Sequence, residues 1–192
     1  MKRLILASGS PRRREILQQL GVNFEVLPSD IEETIPAGLS AGDAASYLAL
    51  EKARDVALKI NSPSIILGAD TIVVVDGEIL GKPNDEAEAC LMLKRLSGRE
   101  HEVITGIAII DYDRNIEIKD FESTRVKMKR IPPDRIERYV KTGEPLDKAG
   151  AYAAQGKAST FIEGIQGCFF NVVGLPISKL DSLLCSIGID LF

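Results

Sequence analysis

The chain has one histidine, His101, no tryptophan and three cysteines in 192 residues. A single histidine excludes an H-E-x-x-H metal helix and any cluster of imidazole ligands. Cys90, Cys168 and Cys185 are far apart and odd in number, and no C-x-x-C exists. That pattern speaks against a zinc site and for reduced thiols in a cytoplasmic protein. No apolar run approaches the ~20 residues that cross a bilayer. The opening MKRLILASGS has the outline of a signal peptide, but its apolar run, Leu4 to Ala7, is too short for one and reads as a first strand. Aromatic residues make up 5% and the formal net charge is −4. With no nucleic-acid motif, this balance disfavours nucleic acid and acidic membranes as partners. The phosphate-loop pattern G-x-x-x-x-G-K-[ST] is also missing. An enzyme of this composition works with carboxylates, lysines, arginines and a hard, oxygen-seeking cation.

What is present alternates strand and helix early and meanders later. Residues 4–8 and 22–28 read as strands around a helix that starts at Ser10-Pro11 and closes at Gly21. An acidic connection, 29–40, precedes a long helix over 41–60. The stretch 62–83 holds two apolar runs around Asp70, then an Asp76-Gly77 hairpin turn. A capped helix over 84–98 leads into two or three strands within 101–131, with a turn near Asp113 to Asn115. A short helix over 132–143 follows. Residues 144–159 are rich in Gly and Ala and resist assignment. A strand pair is predicted over 161–174, and a last helix over 176–188. The pattern predicts one α/β domain over 1–192, built on a mixed sheet flanked by helices.

Several charged residues sit where charge is expensive. Asp70 interrupts the run Ile65 to Val75, where an ionised carboxylate needs a partner or a metal. Its alternatives are a ligand-facing acid at a strand end and an Asp in a tight turn. Lys52 lies on the Ala45, Leu48, Ala49, Val56 face of the long helix, so it either snorkels or points into a site. Lys82, in Gly81-Lys82-Pro83, is a weak signal alone. Asp30, Glu32 and Glu33 form either a solvated loop or a cation-holding one. Asp147 to Gly156 offers polar heads in a small-residue loop, with Tyr152 to pack on a base and Gln155 to read one. The alternative there is an internal ion pair with tight packing. His101 reads as structural or solvated, and Cys90 as a small buried residue. Three arginines, Arg12 to Arg14, stand at a helix N-terminus, where cations are disfavoured. A bound anion resolves that conflict if Arg12, Arg13, Lys52 and Lys82 converge on polyphosphate oxygens, with Arg14 left on the surface.

These residues fall in pieces that closely resemble the Maf family of septum-formation-protein-like nucleoside triphosphate pyrophosphatases. The pieces are LASGSPRRREIL (6–17), EKA (51–53), LGADTIV (67–73), GKP (81–83), LSGREHEVITG (96–106), DKAGAYAAQG (147–156) and NVVGLP (171–176). They occur in the family's order over essentially the whole chain. The resemblance implies a cytoplasmic enzyme that converts a nucleoside triphosphate to monophosphate and pyrophosphate. It implies an elongated α/β fold, akin to inosine triphosphate pyrophosphatases, with two lobes around a nucleotide cleft. It also implies Mg²⁺ or Mn²⁺ and commonly a homodimer. The family's proton acceptor falls on Asp70 and its phosphate-binding cations on Arg13, Lys52 and Lys82, with Ser8 near the phosphates. Its metal-side acid falls on Glu33, beside Asp70. Ala69-Asp70-Thr71 and Gln155 match the branch acting on dTTP, UTP and modified pyrimidine nucleotides, where the 7-methyl-GTP branch has Ser-Asp-Gln. Specificity positions map to Arg12, Thr71 and Gln155. Ala154, Lys157 and Cys168 depart from the usual pattern. The rivals are an inosine or xanthosine triphosphate pyrophosphatase and a non-enzymatic nucleotide-binding regulator of septum formation.

Overall fold

A computed structural model describes residues 2–191. The strands are β1 (Arg3–Leu6), β2 (Glu25–Val26), β3 (Ser64–Val75), β4 (Glu78–Leu80), β5 (Glu100–Asp111), β6 (Ile116–Met128) and β7 (Ile162–Gln166). The helices are α1 (Pro11–Gln19), α2 (Ala41–Ala57), α3 (Glu86–Leu96), α4 (Pro133–Val140), α5 (Phe169–Val173) and α6 (Ile177–Ser186). The seven strands run β2-β1-β3-β5-β6-β7, with β4 paired to β3. β1 pairs in parallel with β2 and β3, while β3–β4 and β6–β7 are antiparallel. The mixed sheet flanked by helices is therefore the observed fold class.

The chain forms two compact units. The first comprises 1–70, 105–122 and 174–192, the second 71–104 and 123–173. In the first, α2 lies on the sheet because its inner face is made of small residues. A Cβ added at Gly68 would sit 2.0 Å from the Ala49 carbonyl oxygen, and one at Gly106 would sit 2.2 Å from the Ala45 carbonyl. Both glycines are therefore needed for the helix to approach. Ile5, Ala7, Ile66, Ala108 and Ile110 close the core with Ala49, Leu50, Ala53 and Val56. Ser40 caps α2, its hydroxyl accepting from the Asp43 N–H at 3.1 Å.

In the second unit, Leu93, Leu96, Val103, Met128, Ile136 and Phe161 form the centre of the core. The Asp76-Gly77 turn has φ of 54° and 79°, the geometry that hairpins of matching twist require. The loop 144–159 resolves into three 3₁₀ turns, Glu144–Asp147, Ala149–Ala151 and Lys157–Phe161. Their register is held by Glu144, whose carboxylate accepts from Tyr139 Oη, Lys157 N and Ala158 N.

The structure corrects some expectations. β3 is one continuous strand through Asp70, so the turn alternative for this residue fails. The second half of the strand pair predicted over 161–174 is helical, as α5. Asn171 is buried and its amide donates to the Val103 carbonyl at 2.8 Å and to Thr124 Oγ1 at 2.9 Å. These distant partners override the β preference of the Phe-Phe-x-Val-Val run. Ser10 occupies the cap position of α1, but its hydroxyl makes no capping bond.

Candidate functional site

The end of β1 creates the site in the first unit. β1 pairs with β3 as far as Leu6–Leu67, and Ala7 N–H donates to the Leu67 carbonyl at 2.8 Å. The chain then leaves the sheet toward α1 while β3 continues. Asp70 thus lies past the last β1 partner, at the carboxyl end of a parallel pair, where such sheets meet ligands. Alternation along β3 puts Asp70 on the same face as Gly68. One helical turn separates Ala49, which abuts Gly68, from Lys52. The two periodicities bring Lys52 onto Asp70.

Asp70 is 6% exposed, and its Oδ1 accepts from Lys52 Nζ at 2.5 Å. Glu33, on the acidic connection, reaches the same ammonium at 2.6 Å from the exposed side. Two carboxylates therefore share one cation. The Lys52 ammonium is turned inward onto these carboxylates rather than out to solvent, which is not the snorkelling alternative.

Arg13 faces the same cluster from α1. It is 8% exposed, and Nε donates to the Gly174 carbonyl at 2.8 Å. Its Nη1 donates to Ser8 Oγ at 2.8 Å, and Ser8 is itself buried. Burial pushes the Arg13 guanidinium below its ordinary value. Asp70 and Glu33 pull it back up, and Arg12 pushes it further down. Arg12 is exposed, and so is Arg14, as expected of a surface residue.

Thr71, Lys82 and Gln155 belong to the second unit. Thr71 is half-buried, and Lys82 and Gln155 are exposed. The loop 148–151 is tied to the Gly81 carbonyl by the Gly150 N–H at 3.0 Å. Tyr152 does not face solvent. It is 6% exposed, packs edge-on against His101, and its hydroxyl lies 2.7 Å from His101 Nε2. Burial raises its phenol pKa. The packing alternative therefore holds for this residue, and its suggested role on a base is withdrawn. His101 is structural: burial lowers its pKa to about 4, and its Nδ1 has no hydrogen-bond partner among the described residues.

Residue reading alone did not find the Gly174 carbonyl, which positions Arg13, or Gly68, which admits α2. A glycine inside an apolar strand, two positions before a buried acid, is the signal that could have found the second.

A buried acid, lysine and arginine thus meet at the end of a parallel strand pair in an α/β protein. The comparisons with known proteins go further. The family model described as "Maf-like protein" matches residues 3–187, and the chain belongs to this family. A protein of Alkaliphilus oremlandii named dTTP/UTP pyrophosphatase is 56% identical over 184 residues, covering 96% of this chain and 95% of that one. Proteins of the same name from Ruminiclostridium cellulolyticum and Desulforamulus reducens are 52% and 49% identical, covering 96% and 100% of this chain and 95% and 100% of their own. The Staphylococcus aureus Ham1 protein structure aligns with a TM-score of 0.54 at 16% identity, over 97% of this chain and 100% of that one. That likeness concerns the fold alone.

Proposed function

We propose that this chain hydrolyses dTTP and UTP to the monophosphates and pyrophosphate. The observation that carries the reading is the buried Lys52–Asp70 pair beside Ser8 and Arg13, in a chain whose relatives bear that activity in their names. The role in the cell is removal of surplus or modified pyrimidine nucleotides from the nucleotide pool, with a link to arrest of cell division.

A water oxygen attacks the α-phosphorus, the bond from that phosphorus to the bridging α–β oxygen breaks, and pyrophosphate leaves. Asp70 orients the water and accepts its proton. Lys52 and Arg13 offset the charge that builds on the phosphate oxygens, and Ser8 adds a hydroxyl donor. Lys82 meets the leaving pyrophosphate. Positioning and preorganised charge supply most of the rate in such transfers. Arg12, Thr71 and Gln155 select the base.

Glu33 and Asp70 fit a divalent cation. They present hard oxygen donors on either side of the Lys52 ammonium. Among the described residues no group of three or more His, Cys, Asp or Glu could hold a metal; in this reading Glu33 and Asp70 would hold Mg²⁺ or Mn²⁺. Such an ion supplies charge neutralisation on the phosphates. No helix among the described residues is long and apolar enough to cross a membrane. The working form in this reading is a cytoplasmic homodimer in which 1–192 acts as one nucleotide pyrophosphatase domain.

Pyrophosphate release from dTTP, UTP, ITP, XTP and 7-methyl-GTP, with Mg²⁺ or Mn²⁺, tests the reading. Preference for dTTP and UTP supports it. Preference for ITP or XTP keeps the chemistry and overturns the base assignment. Tight binding without release overturns the enzyme.

A further inference from the structure

The segment Asp147-Lys148-Ala149-Gly150 belongs to a motif that the site described above leaves without a chemical role. Lys148 has 13% of its side chain exposed, and its ammonium is paired with the carboxylate of its own neighbour, Asp147, which is 73% exposed. A wet carboxylate on an adjacent residue is a weak counter-ion for a lysine whose stem is buried. Replacing such a partner with a better anion costs little.

The backbone ties the loop of this lysine to another loop. Gly150 adopts φ of +67°, and its Cα position is pressed against Val73, where a Cβ would meet the Val73 methyls at 3.0 Å. Its N–H donates to the carbonyl of Gly81, the residue before Lys82. One hydrogen bond therefore joins the Lys148 loop to the Lys82 loop, and both lie in the second unit. Two lysines of the same unit, on loops fastened to each other, provide charge for a dense anion.

We propose that Lys148 acts with Lys82 in holding the pyrophosphate portion of the substrate, and that Asp147 occupies the Lys148 ammonium until that anion displaces it. The inference rests on the pyrophosphatase reading, and it names a second cation for the leaving group.

The test is calorimetric binding of inorganic pyrophosphate to the wild type and to Lys148→Met, Lys148→Arg and Asp147→Asn, alongside their kcat and KM for dTTP and their melting temperatures. Methionine keeps the apolar stem without the charge. The expected result is a loss of about tenfold or more in pyrophosphate affinity for Lys148→Met, largely restored in Lys148→Arg. Asp147→Asn should bind pyrophosphate at least as tightly as the wild type, because it removes a competitor. If Lys148→Met does not fold, Asp147→Asn carries the test, and weaker pyrophosphate binding in it overturns the proposal. Unchanged affinity in Lys148→Met, or equal loss of melting temperature in Lys148→Met and Asp147→Asn without a binding effect, reduces the pair to a structural one. A wild type that does not bind pyrophosphate also overturns it. A wild type that binds pyrophosphate but does not turn over dTTP defeats the functional reading and leaves the Lys148 result standing.

Discussion

Lys52 Nζ lies 2.5 Å from Asp70 Oδ1, although the two residues come from a helix and a strand whose closest approach is set elsewhere, at Ala49 and Gly68. Neither side chain is more than 12% exposed. A desolvated pair of this kind is costly to break from one side, and here Glu33 still faces Lys52 and Arg13 still faces Asp70 when the other partner is lost. Its placement beside Arg13 and Glu33 makes it the centre of the proposed chemistry.

Asp70→Asn keeps the shape of the side chain and removes the base. Turnover of dTTP should fall by ~1,000-fold or more, since the loss of a single preorganised group already costs ~100-fold. Circular dichroism should still report a folded chain. Pyrophosphate release measures the effect, and a kcat equal to that of the wild type would remove Asp70 from the mechanism.

Gly68→Ala places a methyl group at the Ala49 carbonyl and forces α2 off the sheet. Overpacking of this kind costs about 1–3 kcal/mol or more. Both melting temperature and kcat should drop, because displacement of α2 carries Lys52 away from Asp70. Gly81→Ala, whose added Cβ would meet nothing within 4 Å, is the control for stability. Thermal denaturation of the two variants separates a packing effect from a general intolerance of glycine replacement.

Arg13→Lys retains the charge and loses the geometry. A lysine ends in a single nitrogen on a flexible stem and cannot present two rigidly spaced N–H groups to the Gly174 carbonyl and Ser8 Oγ, as Nε and Nη1 do here. A fall of about tenfold to 100-fold in kcat/KM for dTTP is expected. Steady-state kinetics at saturating metal provide the measurement, and an unchanged kcat/KM would show that charge alone suffices at this position.

His101 sets a lower pH limit on stability. Its pKa is about 4 in the folded chain against an ordinary 6.5, because burial disfavours the imidazolium. The unfolded chain therefore binds more protons between these values, so stability rises with pH across that window and is lost as pH falls below about 6.5. The full swing is about 3 kcal/mol. His101→Phe should flatten the contribution, and denaturant titrations at pH 5 and pH 7.5 measure it. A wild-type midpoint that drops between the two by no more than that of the variant would contradict this account.

Glu33→Gln should raise the Mg²⁺ concentration needed for half-maximal activity, with a smaller effect on kcat at saturating metal. Chelation of the metal should abolish turnover in both proteins. A metal titration of dTTP hydrolysis reads both, and an identical half-maximal concentration would exclude Glu33 as a metal-side acid.

Much of this molecule was legible before any coordinates. Local rules fixed the Asp76-Gly77 hairpin, where two successive positive φ values demand Asp or Gly chemistry. Apolar spacing placed α2, and a carboxylate inside the Ile65 to Val75 run marked Asp70 as a residue that required a partner. The family resemblance supplied roles for residues whose own signals were weak, Lys82 among them. The rest depended on distant chain. Tertiary structure decided that Lys52 turns inward, because Gly68 and Gly106 let α2 settle onto the sheet. It decided that Phe169–Val173 is helical, because Asn171 finds Val103 and Thr124. It assigned Tyr152 to the core, because its hydroxyl and His101 Nε2 form a hydrogen bond there. A sequence states which groups must be satisfied; which group satisfies them is settled by packing, since each such partner is separated along the chain by many residues and meets its mate only when the sheet closes.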